Sequence, residues 1–189
     1  MNILFLGDLV GERSFNYVIK NIKPIINKYN ISLTVVNGEN IANGYGLKPE
    51  HCESLFEKGV DVITSGNHIW DQATIIPYIA RTENLIRPFN YRKDSPGRGH
   101  GIFKDKNGKN ILVANFICNV FMRSSDSPFN TMSKLLDKYQ LKKNCDAILI
   151  DIHGETSSEK QAFANMVDGK VSAVLGSHTH VPTNDLRVL

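Results

Sequence analysis

The stretch VSAVLGSHTHVP, residues 171–182, joins an apolar run to a pair of histidines. The run Val171–Leu175 ends at Gly176, and an apolar run that stops at a turn residue is typical of a buried strand. His178 and His180 follow, separated by one residue. Ligands bind at the carboxyl ends of the strands in open α/β sheets, so these histidines lie where a ligand is expected. Alone, a His-x-His pair more often belongs to a surface loop.

Four other apolar runs continue in the same way, each into polar residues that can bind a metal. The runs are Ile3–Leu6, Leu33–Val36, Val60–Thr64 and Ala147–Ile150, and the residues that follow them include Asp8, Glu39, Asn40, Asn67, His68 and His153. With the two histidines above, the set holds two carboxylates, two carboxamides and four imidazoles. This is more than one ion needs, and it predicts two divalent ions that share a bridging carboxylate.

Helical periodicity separates the apolar runs. Residues 14–29 have the spacing of an amphipathic helix, in which Pro24 is expected to cause a kink or a break. Thr156 and Glu159 have the spacing of a capping box for a later helix. Strands that alternate with helices predict an α/β fold with a largely parallel sheet covered on both faces. The carboxyl ends of parallel strands lie at one edge, where the polar residues are expected to converge.

Length and composition predict one soluble domain, residues 1–189, with 41% hydrophobic and 22% charged residues. A net charge of +3 is too balanced to indicate nucleic-acid binding by bulk charge. The three cysteines, Cys52, Cys118 and Cys145, form no Cys-x-x-Cys motif and are expected to be reduced thiols. We expect a cytoplasmic location and no membrane partner, because no basic leader and no membrane-spanning apolar run is present.

Several residues have an ordinary structural interpretation beside a functional one. Arg87, Arg92 and Arg98 lie in the longest irregular stretch, residues 87–101, and are expected to be solvated rather than to contact phosphate. Tyr45 and Trp70 could stack on a base, but packing at the core or rim is at least as good an interpretation.

The polar strand ends belong to longer motifs that occur in order along the whole chain. These are GDLVG (7–11), NGENIANGYG (37–46), SGNHIWD (65–71), RPFNY (87–91) with PGRGHG (96–101), IDIHGETSSEK (150–160) and GSHTHVPT (176–183). In this combination they resemble the YmdB-type branch of the calcineurin-like metallophosphoesterase superfamily. The resemblance implies a four-layer α/β/β/α metallophosphoesterase sandwich, here truncated at the C-terminus because the family chain continues beyond the His-x-His motif.

The resemblance also implies a role for each site residue. One metal would be held by Asp8, Glu39, Asn40 and His180, and the second by Glu39 as a bridge together with Asn67, His153 and His178. His68 would be the general acid that protonates the leaving oxygen. Iron or manganese is the metal that the family implies.

The function implied is a metal-dependent phosphodiesterase that hydrolyses cyclic nucleotides such as 2',3'-cyclic AMP with a metal-activated hydroxide. The partner would be a small phosphodiester or cyclic nucleotide. RNA as a further partner and a homo-oligomeric assembly are left as open alternatives. The alternative is a non-catalytic regulatory or RNA-associated metal-binding module. A Rossmann-type nucleotide binder is a weaker interpretation, because the turn Gly7–Gly11 lacks the glycine fingerprint.

Overall fold

Strands and helices alternate along most of the chain in the computed structural model, which describes all 189 residues. The strands are β1 (Ile3–Leu6), β2 (Leu33–Asn37), β3 (Val62–Thr64), β4 (His100–Lys104), β5 (Asn110–Ile117), β6 (Ala147–His153) and β7 (Ala173–Ser177). The helices are α1 (Gly11–Lys28), α2 (Pro49–Glu57), α3 (Ile75–Ile79), α4 (Pro128–Lys138) and α5 (Ser157–Met166).

The seven strands form two sheets. The first has the order β1-β2-β3 and is parallel throughout. The second has the order β4-β5-β6-β7, in which β4 runs antiparallel to β5 and the other neighbours are parallel. The single sheet expected from the alternation of strands and helices is therefore wrong, because apolar runs show which strands are buried but not which strands are neighbours. The mixed α/β fold is confirmed.

Alternating side chains place each sheet between a helical layer and the other sheet. Leu33 and Val35 of β2 and Ile111 and Val113 of β5 belong to one apolar cluster between the two sheets. Val36 points the other way, into the core beneath α1, α2 and α3. The second sheet likewise packs its opposite face against α4 and α5. The layers are thus α/β/β/α, as the resemblance implies.

The same alternation directs polar side chains toward the space between the sheets. On β6, Ala147 and Leu149 pack in the cluster between the sheets, and Asp151 and His153 lie on that same face because side chains alternate along a strand. Ser177 pairs with His153 in the parallel register of β6 and β7. The apolar core therefore passes into a polar region at the carboxyl ends of the strands.

Helix α1 runs without interruption past Pro24, contrary to the expected kink or break. A proline removes one helical hydrogen bond, but Phe15, Ile22 and Ile26 are buried on both sides of the position and hold the helix against the first sheet. At 18 residues it is the longest helix. Neither α1 nor any other helix is long and apolar enough to cross a membrane.

Arg87 is buried, which corrects the expectation that it is solvated. Its guanidinium donates to the carbonyl oxygens of Pro88, Ser95 and Pro96 at 2.9, 3.2 and 3.1 Å. The loop carbonyls come together only in the folded chain, so their arrangement is not visible in the sequence. Arg92 is exposed, as expected. All three cysteines are free and buried in this structure, and their reduced state stays a prediction.

Candidate metal centre

His153 is the last residue of β6 and has one ring nitrogen fixed by a hydrogen bond. Its Nδ1 lies 3.0 Å from the hydroxyl oxygen of Ser177, and that hydroxyl donates to Asp151 Oδ1 at 2.6 Å. Because the hydroxyl proton is used by Asp151, the Ser177 oxygen accepts from His153 Nδ1–H. A neutral ring in this tautomer leaves the lone pair of Nε2 toward the ends of the strands.

His178 is fixed in the complementary way. Its Nε2 lies 3.1 Å from Glu155 Oε2, which accepts the ring proton, so Nδ1 carries the lone pair. That Nδ1 lies 3.0 Å from His153 Nε2. When both rings are neutral, two imidazole lone pairs therefore face each other, an arrangement that requires a cation or a proton between them.

Two oxygens also approach the facing imidazole nitrogens. Glu39 Oε1 lies 3.0 Å and Asn67 Oδ1 2.9 Å from His153 Nε2. The donor atoms of Glu39, His153 and His178 lie within 4.8 Å of one another. Four lone-pair donors around one point repel each other unless a cation lies among them, and mixed nitrogen and oxygen donors suit transition metals.

Two buried carboxylate oxygens lack the partners that burial normally requires. Asp8 Oδ1 and Glu39 Oε1 accept no hydrogen bond, and the side chain of Asp8 is only 4% exposed. The second oxygen of Asp8 accepts from the backbone N–H of His178 at 2.8 Å. Burying a charged oxygen without a partner is costly, so these two oxygens fit a metal ion.

The charges in this cluster shift the protonation of the two imidazoles in opposite directions. Desolvation alone would lower the pKa of His153, but the negative charges of Glu39 and Asp8 outweigh it and raise that pKa. Desolvation, reinforced by the charge of His153, lowers the pKa of His178. A cation at the centre would supply the positive charge that otherwise has to come from a proton on His153.

The remaining two predicted ligands form a separate pair. Asn40 Oδ1 lies 3.3 Å from His180 Nε2, and no hydrogen bond joins this pair to His153. His178 and His180 both have positive φ, +100° and +55°. Non-glycine residues in this region are strained, and such strain is concentrated at functional sites.

His68, the predicted general acid, lies beside the cluster without being part of it. Its backbone N–H donates to Glu39 Oε2 at 3.0 Å, and its side chain is 22% exposed. Tyr45 packs edge-on against the ring at 5.2 Å between centroids and is itself exposed at the rim. Trp70 packs against the core beneath the first three helices, which supports its structural interpretation.

Asp151 is a site residue that the sequence did not reveal. It is fully buried and accepts from the hydroxyls of Thr64 and Ser177 at 2.6 Å each and from Asn37 Nδ2 at 3.0 Å. Burial raises the pKa of Asp151 to about 6, against the opposing effect of the two hydroxyl donors. Through Ser177, the carboxylate holds the ring of His153 in the metal-binding tautomer. Because Asp151 lies within an apolar strand, the sequence gave only a weak indication that it belongs to the site.

Gly66 is required at the floor of the site. A Cβ atom at this position would collide with His153 Nε2 and Glu39 Oε2. No side chain can therefore replace the glycine while these two donors keep their positions, and this explains why a glycine precedes Asn67 and His68.

A two-sheet sandwich with carboxylate, carboxamide and imidazole donors at its strand ends defines the class of metallophosphoesterase-type hydrolases. The family model described as YmdB-like protein matches residues 4–189. The chain belongs to this YmdB-like family. The predicted family is thereby confirmed, and the relatives described next confirm the predicted class of hydrolytic enzyme.

Relatives and solved structures agree with this assignment. The chain is 40% identical over 189 residues to the 2',3'-cyclic-nucleotide 2'-phosphodiesterase of Bacillus subtilis, covering 70% of that protein. A hypothetical protein from Thermus thermophilus has a similar structure, with a TM-score of 0.90 and 37% identity over 98% of this chain and 70% of the other. A novel phosphatase from Mycoplasma pneumoniae has a TM-score of 0.88 and 35% identity over 99% of this chain and 67% of the other.

Proposed function

We propose that the chain is a metal-dependent phosphodiesterase that hydrolyses cyclic nucleotides such as 2',3'-cyclic AMP. The observation that carries the proposal is the 3.0 Å approach of His153 Nε2 to His178 Nδ1 beside two buried carboxylate oxygens that accept no hydrogen bond. The name of the Bacillus subtilis relative supports this choice of substrate.

Two metal ions, iron or manganese, are proposed at the strand ends. Glu39, Asn67, His153 and His178 would hold one of them, since all four approach the same point. Asp8, Asn40 and His180, with Glu39 as the bridge, would hold the other. When bound, such ions lower the pKa of an attacking water and stabilise the charge that develops on the phosphate oxygens.

The leaving oxygen of the ribose needs a proton, and we propose that His68 supplies it. Its Nδ1 and its backbone N–H are engaged, whereas Nε2 has no partner within the chain and is not among the buried unpartnered atoms. The proton would pass from Nε2 of the doubly protonated ring to the ribose oxygen as the phosphorus–oxygen bond breaks and water adds to phosphorus, and the neutral ring would keep its other proton on Nδ1. The product is a nucleoside monophosphate with a free neighbouring hydroxyl.

The experiment measures metal content and turnover on the same purified sample. The substrates are 2',3'-cyclic AMP and bis-p-nitrophenyl phosphate, each with and without added Mn²⁺. We expect about two metals per chain and hydrolysis of both diesters, in agreement with a two-metal site. Bound metal without turnover would contradict the proposal and favour a regulatory or RNA-associated module.

Two matched aspartate-to-asparagine variants distinguish the loss of a charge at the proposed metal site from the loss of a charge at the surface. Asp8→Asn keeps the size of the side chain but removes a charge from the centre, and we expect it to lower both metal content and turnover by about 100-fold or more. Asp94→Asn removes an equal charge from an exposed pair with Arg92 and should change neither. Equal behaviour of the two variants would remove Asp8 from the proposed metal site.

A further inference from the structure

We propose that Asp71 and Arg123 are positioning residues for His68, a role that rests on the proposed phosphodiesterase function. The geometry that carries the proposal is a chain of three side chains. His68 Nδ1–H donates to Asp71 Oδ2 at 2.6 Å, and Arg123 Nη2 donates to Asp71 Oδ1 at 3.3 Å. Both oxygens of one carboxylate are thus used, one for the imidazole and one for the guanidinium.

The contact with Asp71 completes the restraint of the His68 ring. The backbone of His68 is fixed by its N–H bond to Glu39 Oε2, which sets where the side chain starts. The bond to Asp71 then sets the rotation of the ring, so that Nε2 is the atom left free. A histidine that has to deliver a proton to one oxygen depends on this orientation, because small displacements of a reacting group cost large factors in rate.

Arg123, which holds the carboxylate of Asp71, comes from a distant part of the chain. It lies in the loop between β5 and α4, 52 residues from Asp71. Glu159 of α5 accepts from the backbone N–H groups of Asn119 and Val120 at 2.9 and 3.0 Å, which fixes the start of this loop. Glu159 therefore serves the loop, whereas the expected capping box with Thr156 does not form.

The loop is further closed on itself near Arg123. Asn119 Nδ2 donates to both the carbonyl and the hydroxyl oxygen of Ser125, at 3.1 and 2.9 Å. Between these residues Phe121 has a φ of +61° and is 86% exposed. A bulky residue in this conformation indicates a constrained backbone. The neighbouring Met122 is partly buried against the core, so hydrogen bonds and packing together hold the loop from which Arg123 reaches Asp71.

A purely structural ion pair is the competing interpretation. Arg123 is 53% exposed, and an exposed pair contributes little to stability. The side chain of Asp71, in contrast, is only 21% exposed and touches the proposed general acid directly. Stability alone cannot separate the interpretations, so the test has to report on the step that His68 performs.

The dependence of the rate on the leaving group reports on that step. The ribose oxygen of 2',3'-cyclic AMP is a poor leaving group and needs a proton, whereas p-nitrophenolate leaves without one. Loss of His68 positioning should therefore reduce turnover of the cyclic nucleotide far more than turnover of bis-p-nitrophenyl phosphate. A general loss of folding or of metal would reduce both.

The first experiment compares Arg123→Ala and Asp71→Asn with the wild type on both substrates. We expect kcat for 2',3'-cyclic AMP to fall by about 10- to 100-fold and kcat for bis-p-nitrophenyl phosphate to change by less than about threefold. Arg123→Lys, which keeps a donor, should restore most of the loss. Arg92→Ala is the control, because Arg92 is exposed and pairs only with Asp94. Equal losses on both substrates would overturn the proposal.

The second experiment does not depend on turnover. A long-range proton–nitrogen NMR spectrum of the metal-free protein reports which ring nitrogen of His68 carries the proton, with His68→Ala assigning the signal. We expect a protonated Nδ1 in the wild type and a mixture of tautomers in Arg123→Ala and Asp71→Asn. An unchanged tautomer overturns the positioning role even in an active enzyme. The expected change in a protein without turnover would uphold that role while the proposed phosphodiesterase function fails.

Discussion

His100, the first residue of β4, lies between two aromatic rings. The centroid of its ring is 4.4 Å from that of Phe89 and 5.4 Å from that of Tyr139. Its Nδ1 is buried without a hydrogen-bond partner. Burial, reinforced by the positive charges of Lys138 and Arg98, lowers the pKa of His100 to about 4. The folded chain thus favours the neutral ring, whereas the unfolded chain takes up a proton near the ordinary histidine pKa.

The replacement His100→Phe should reduce the acid sensitivity of folding. A lowered folded-state pKa means that the contribution of His100 to stability is complete above the unfolded pKa of about 6.5 and is lost as the pH falls toward 4. Between about pH 7 and pH 4.5 we expect the wild type to lose roughly 1–2 kcal/mol more than the variant, allowing for solvent screening. Urea unfolding at several pH values measures the difference. A wild-type-minus-variant difference that does not change with pH would contradict the assignment.

At the scale of elements, Asp151 connects strands of both sheets. It lies on β6 and accepts from Asn37 on β2, Thr64 on β3 and Ser177 on β7. Apolar packing and other polar contacts, such as the bond from Ser65 N–H to Asn115 Oδ1, also join the two sheets. The carboxylate of Asp151 contributes to fixing how the ends of the strands lie relative to each other, and through Ser177 it also orients His153.

The replacement Asp151→Asn tests this connection with a side chain of the same size. An amide has one oxygen, and its NH₂ group would face donors, so we expect a loss of about 1–3 kcal/mol in the free energy of unfolding. Metal affinity should fall by about 10- to 100-fold because the orientation of His153 is no longer fixed. Urea unfolding and metal titration measure the two effects, with Asp94→Asn as the control. A loss of stability with unchanged metal affinity would show that Asp151 acts on the sheets alone.

The difference between Asp8 and Asp151 shows what the sequence could predict at this scale. Asp8 follows the run Ile3–Leu6 and a glycine, so its place beyond a strand end is visible in the pattern. Asp151 also follows an apolar run, Ala147–Ile150, but the strand continues past it to His153. Asp151 lies inside a strand in which every residue is buried. Its role depends on which face of β6 meets the other sheet, and this is decided by strand pairing between distant segments. The same dependence explains why one sheet was expected where two are found.

At the scale of the whole molecule, the proposed metal centre joins the two sheets. Asp8, Glu39 and Asn67 follow strands of the first sheet, while His153 and His178 belong to the ends of strands in the second. An ion held by both groups would bind the folded chain and not the unfolded one. Its binding free energy would therefore add to the stability of the fold.

Removal of metal should accordingly lower the melting temperature of the whole domain. An ion present at about 100 times its dissociation constant contributes about 2.7 kcal/mol, and for a chain of this size this corresponds to a shift of roughly 5–10 °C. Thermal unfolding before and after chelation, and after Mn²⁺ is added back, measures the shift. The Asp8→Asn protein should shift less than the wild type. A melting temperature that is insensitive to chelation would show that the two sheets do not share an ion.

At this scale, the sequence predicted the features that ordered motifs identify. It did not predict the contacts that depend on tertiary packing between distant segments. The ordered motifs were sufficient to identify the family and, through it, the four-layer α/β/β/α arrangement. The convergence of Glu39, Asn67, His153 and His178 agrees with the expectation for strand ends, and their role as ligands stays a prediction. The link from Arg123 through Asp71 to His68 joins a loop to a turn that have no common pattern, and only the folded chain brings them together.

The bond from His178 N–H to Asp8 Oδ2 spans 170 positions of the chain. During synthesis, the first sheet can pair its strands early, but its carboxylates have to wait for the histidines of the second sheet. Contacts of such separation form slowly and late. The carboxylate of Asp8 therefore lacks this partner for most of the chain's translation. The proposed metal centre would be complete only when His178 has left the exit tunnel, so translation itself would set the earliest moment at which the cell's metal supply could be used.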